Sequence, residues 1–169
     1  MEKVNFKQLI NAMTNDVRTY RDLKKILQDK FEAIKSRDAV KLDETTAAHD
    51  ALMRTVAANT SRRMQVLDVL TKQLFADRKG GNRVTVTEIA AVAGEADRGK
   101  LLALKAMLYK EVEQVQSLNR INNLAVKKML GHLDFIFKAI VNYDNCNGVY
   151  SKNGTQSMTM SSGLIDAIA

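Results

Sequence analysis

The chain has 169 residues, enough for one domain with a tail or for two very small domains. Its 26 Lys and Arg against 19 Asp and Glu leave a formal charge of +7, and 46% hydrophobic with 27% charged residues suits a folded core rather than disorder. A single cysteine, Cys146, excludes an internal disulfide and a Cys-rich zinc cluster, no apolar run is long enough for a membrane span, and the chain has no Pro to interrupt a helix.

The first stripe of apolar residues is Phe6, Ile10, Met13, Val17, Tyr20, Leu27, Phe31 and Ile34. Its steps alternate four and three, with Lys24 in the one gap and Leu9, Leu23 and Ile26 widening it. That spacing predicts an amphipathic helix over about residues 4–35. Ser36 to Asp38 is a polar break, and Asp38 suits the N-cap of a second helix.

The second stripe, Leu42, Thr46, His49, Met53, Val56, Thr60, Arg63, Leu67, Leu70 and Leu74, predicts a helix over about 38–77. It stops at Asp77-Arg78-Lys79-Gly80-Gly81-Asn82, where cations and glycines favour a helix end. Thr85 and Glu88 have the spacing of a capping box. They open a short helix over about 87–93, ending at Gly94, and Asp97 is placed to cap the next.

The last stripe is Leu101, Leu108, Val112, Val115, Asn119, Asn122, Val126, Met129, Leu133, Ile136, Ile140 and Tyr143, with Leu104 covering the early gap. It predicts a helix over about 98–143, roughly 70 Å long at 1.5 Å per residue. The expected fold is therefore all-α: an elongated antiparallel bundle of three long helices plus one short helix. Residues 145–163 are dominated by Asn, Gly, Ser and Thr, so a helical bundle over 1–144 is expected to be followed by a flexible tail over 145–169. Leu164, Ile165 and Ile168 give that tail a small apolar end.

Asn119 and Asn122 occupy positions where the repeat expects apolar side chains, so they read as a register-setting polar layer. In an antiparallel arrangement Thr60 and Arg63 are placed to satisfy their amides. His49 lacks the following Lys and Gly of a phosphotransfer histidine and is instead followed by Asp50. Two histidines and one isolated cysteine offer neither a metal-ligand motif nor a nucleophile with its base, so no cofactor, no metal and no enzymatic activity are expected. The cations are spread as isolated pairs without an aromatic platform, so no nucleic acid is expected as a partner, and no membrane insertion. An N-terminus without a signal-like apolar core and a lone cysteine point to the cytoplasm.

Leu118-Asn119-Arg120-Ile121-Asn122-Asn123-Leu124 resembles the Leu-Asn-x-x-Asn segment in the last long helix of FlgN-type flagellar export chaperones. Further on, Val149-Tyr150-Ser151-Lys152-Asn153-Gly154-Thr155-Gln156-Ser157 resembles the family's Tyr-Gly-x-Asp-Gly element, with Ser151 in place of Gly and Asn153 in place of Asp. Arg62-Arg63 ahead of the 67–70 apolar run is similar to the family's second helix. The likeness covers the whole layout and is specific over 118–157.

The resemblance implies a cytoplasmic, non-enzymatic chaperone that holds the helical C-terminal segments of hook-associated (hook–filament junction) proteins. It further implies delivery of these clients to the cytoplasmic domain of the export-gate membrane protein. It places partner binding at the end of the last helix and in the tail: Asn119, Asn122, Val126, Met129, Leu133, Ile136, Ile140, Tyr143, Tyr150 and Gly154, with Tyr150 on the gate. The alternative from another class is a non-enzymatic coiled-coil adaptor or scaffold acting by self-association, with Asn119 and Asn122 setting the oligomer register.

Overall fold

The computed structural model describes residues 6–75 and 84–147, with side chains through 142. The fold is all-α, and among the described residues no strand occurs. The helices are α1 (Lys7–Ser36), α2 (Ala39–Leu74), α3 (Val86–Val92) and α4 (Glu95–Asn147). The chain divides into two units, Met1–Ala125 and Val126–Ala169.

Within the first unit the helix ends reflect local chemistry. α1 closes on Arg37, which takes the left-handed conformation at φ 57°. Its N–H reaches the carbonyl of Ile34 at 3.2 Å, and that of Asp38 reaches Ala33 at 3.0 Å. The predicted Asp38 cap forms, its carboxylate accepting from the N–H of Lys41 at 3.0 Å. α2 carries an unusual load of Thr for a helix. Thr45, Thr46, Thr55 and Thr71 turn their hydroxyls back onto the carbonyl four residues earlier, which keeps those polar groups satisfied without breaking the helix. α2 ends at Leu74, and the glycine-rich stop predicted at 77–82 lies outside the described residues. The predicted capping box of α3 forms in both directions between Thr85 and Glu88.

Three ends of α3 and α4 differ from expectation. α3 ends at Val92 with Ala93 as its cap, short of Gly94. α4 begins at Glu95, because the carbonyl of Gly94 already accepts from the N–H groups of Asp97 and Arg98. Asp97 is therefore not a cap; with Glu95 it lies in the first turn, where a carboxylate faces the positive end of the helix dipole. At the other end α4 runs through to Asn147, four residues past Tyr143.

α1 and α2 form an antiparallel hairpin, tied by the Asp16–Arg63 ion pair and by Asn59 Nδ2 donating to Thr19 Oγ1 at 3.0 Å. α4 returns alongside, so it runs parallel to α1: Arg21 meets Glu111 and Leu27 meets Asn122. Two apolar clusters form between them. The larger gathers Phe6, Leu9, Met13 and Val17 with Leu70, Ile89, Leu101 and Leu104. The smaller gathers Leu23, Leu27 and Val115, with Leu52, Val56 and Leu118 packed against it.

The contact stripe of α4 corrects the predicted one. It passes through Leu108, Glu111, Val115, Leu118 and Asn122 rather than through Val112 and Asn119. Both stripes share residues 108, 115 and 122, and a four-three rhythm fits either. Asn119 is exposed, one position off the contact line. Met53 is likewise exposed, its place in the α2 interface taken by Leu52.

Candidate functional site

Several polar side chains between the helices of the first unit are engaged with one another. Glu111 is buried between α1 and α4 and accepts from Arg21 Nε at 3.0 Å and Lys24 Nζ at 2.5 Å. Lys24 also reaches Gln114 Oε1 at 2.9 Å. The hydrogen bond from Lys24 is the main influence holding the Glu111 carboxyl below the ordinary carboxylate range. Asp16 differs: burial pushes its carboxyl up, against the guanidinium of Arg63, which pulls it down.

Arg63 is therefore committed to Asp16 and does not serve the asparagines. Asn122 is 2% exposed and its Nδ2 donates to the carbonyl of Leu27 at 2.9 Å, while its Oδ1 is buried without a partner. Thr60 likewise has no role there; the contact partner of Asn122 comes from α1. His49 is half-buried at the edge of α2, its Nδ1 3.5 Å from Asp50 Oδ1. The Asp16–Arg63 and Glu111 ion pairs and the Asn122 amide lock helices together, and Lys24 and Gln114 also line an open cleft of about 330 Å³ with Gln28, Ser117 and Leu118.

The second unit presents a different surface. From Val126 onward α4 continues the same four-three apolar rhythm, but the side chains lie open to solvent. Val126 and Met129 are half-buried, and Leu133, Ile136 and Ile140 are exposed. A flanking row adds Leu130 at 56% exposure, Phe137 at 65% and Val141 at 50%. At steps of three, four and seven these residues share one broad helix face. Off that face Lys138 Nζ pairs locally with Asp134 Oδ2 at 2.7 Å. Single exposed apolar side chains are ordinary, whereas a contiguous apolar face marks a surface that meets another macromolecule.

Sequence reasoning named the central row of that face and missed the flanking one. Leu130, Phe137 and Val141 were readable from spacing, since each lies one residue past a member of the central row, while Phe135, also exposed, points to the other side of the helix. Tyr143 belongs to α4, but its side chain lies outside the described residues, and Tyr150 and Gly154 lie outside them altogether. Asn119 and Asn122 are not brought together: one faces solvent and the other is sealed against α1.

A family model described as FlgN protein matches residues 1–158. The chain belongs to the FlgN family. FlgN proteins are flagellar export chaperones, a non-enzymatic class that binds hook-associated proteins. Comparisons with curated proteins and with solved structures return no match. Among the described residues no helix is long and apolar enough to cross a membrane. An open apolar helix face fits the partner-holding role known for the FlgN family.

Proposed function

We propose that this FlgN protein acts in the cytoplasm as a chaperone whose α4 face, from Val126 to Val141, receives the helical C-terminal segments of hook-associated proteins. The client helix lays its own apolar stripe along Met129, Leu133, Ile136 and Ile140, with Leu130 and Phe137 widening the contact. Covering that stripe prevents premature assembly of the junction proteins. The chaperone then delivers its client to the cytoplasmic domain of the export gate, where Tyr150, with Gly154 in the same element, makes the gate contact. The tail over 145–169 serves this docking. Ordering a client and a tail together costs conformational entropy, so the affinity is moderate and release is easy.

The observation that carries the reading is the exposure of an apolar rhythm that is buried earlier in the same helix. Burying one such side chain is worth about 1.5–3 kcal/mol. An Ile136→Ser, Ile140→Ser double variant therefore binds a peptide from a hook-associated C-terminus at least about tenfold more weakly, with unchanged thermal unfolding. Calorimetric titration with that peptide checks it. A folded double variant that keeps wild-type affinity overturns the assignment of the face.

A further inference from the structure

Between the first half of α1 and the second half of α2 lies a cleft of about 220 Å³, lined by Gln8, Asn11, Ala12, Asn15, Arg62 and Val66. It exists because the hairpin brings these halves side by side, with the Asp16–Arg63 pair fixing the register immediately behind it. Ala12 is small and Val66 short, which leaves the space open. Gln8, Asn11 and Asn15 succeed one another at steps of three and four and stand in one row, spanning about 10 Å of α1 at 1.5 Å per residue.

The neighbouring polar side chains Asp16, Thr19, Asn59 and Arg63 are all engaged. The cleft residues are not. Among the described residues the amides of Gln8, Asn11 and Asn15 and the guanidinium of Arg62 make no hydrogen bond and no ion pair.

Each amide offers a donor and an acceptor, the pairing that a peptide unit presents in reverse. A row of about 10 Å matches about three residues of extended chain. Arg62 adds a planar fork suited to a carboxylate. The volume is below the roughly 300–1,000 Å³ of small-molecule sites. One cation without an aromatic platform is a poor nucleic-acid site.

We propose that this cleft binds a short, extended, acidic peptide segment of a partner protein. The main chain lies across the amide row and an Asp or Glu carboxylate sits on Arg62. The site belongs to the first unit and is independent of the α4 face.

Fluorescence anisotropy with the full chain and a dye-labelled peptide alternating Asp and Ser tests it. Arg62→Glu weakens binding about tenfold or more, and the charge-neutral Asn11→Ala, Asn15→Ala pair weakens it several-fold. Arg54→Glu makes the same charge change at an exposed α2 position outside the cleft and leaves binding unchanged. All of these side chains are exposed, and thermal melts confirm that each variant folds. Equal losses from Arg62→Glu and Arg54→Glu would mean diffuse attraction to a basic protein and would overturn the site. So would absence of binding, equal binding of a Lys–Ser peptide, or tighter binding of an oligothymidine than of the acidic peptide.

Discussion

The Asp16–Arg63 pair is unequal in its surroundings: the carboxylate side chain is 2% exposed and the guanidinium 20%. Losing either partner therefore has different consequences. Arg63→Met strands a buried charge and costs about 3–5 kcal/mol, whereas Asp16→Asn leaves a cation that can reach water and costs about 1–3 kcal/mol. The sign of the pH dependence is set by burial. Burial already holds the Asp16 carboxyl above its ordinary range, so its favourable contribution is complete below the unfolded value and is lost as pH rises through the folded one. Without Arg63 that shift grows, and the deficit of Arg63→Met shrinks on acidification. Urea unfolding at neutral and mildly acidic pH reads both effects; equal costs for the two variants, or a deficit indifferent to pH, would contradict the account. Glu111 works in the opposite sense, supplying stability above its ordinary value that fades as pH falls through its lowered one. Arg63 was visible in the sequence as a misfit in an apolar stripe. Its partner was not, because Asp16 adjoins Val17 and periodicity cannot tell which of two neighbours faces the hairpin.

At the level of the helices, positions and types were readable because apolar spacing and caps agreed: Asp38, Thr85 and Glu88 all behave as their chemistry dictates. The α4 register was harder, since two interleaved stripes fit one rhythm and the more apolar choice, Val112 over Glu111, is the wrong one. Arg21 and Lys24 on α1 decide it by drawing the acid inward, a long-range contact that no local pattern contains. The distal part of α4 carries an evident weakness. Gly131 lies within a helix, and a Cβ there would meet nothing within 4 Å. Gly131→Ala is expected to favour the helix by about 0.5–1 kcal/mol. Gly131 lies off the apolar row, so client affinity stays at the wild-type level or rises through preorganisation. Helicity by circular dichroism rises correspondingly; a variant with lower helicity would show that the backbone there is not in an ordinary helical conformation.

For the molecule, the all-α class and family membership were within reach of the sequence, the first through periodicity and the second through the 118–157 motifs. What spacing alone left open is how the interior is divided. A layer of Asp16, Arg63, Thr19, Asn59 and Glu111 separates two apolar clusters where continuous stripes suggested one seam. The open face of α4 has a cost of its own: Leu130, Phe137 and their neighbours can adhere to copies of the same protein as readily as to a client. The excess of 26 cations over 19 anions makes such copies repel one another in dilute buffer. As the medium approaches the isoelectric point near 9.5 that repulsion vanishes. Light scattering should climb there, and Leu130→Ser with Phe137→Ser should suppress it; wild-type solutions that stay clear would mean the face is shielded. A member of a chaperone family is thus expected to draw its colloidal stability from its own surplus of lysine and arginine.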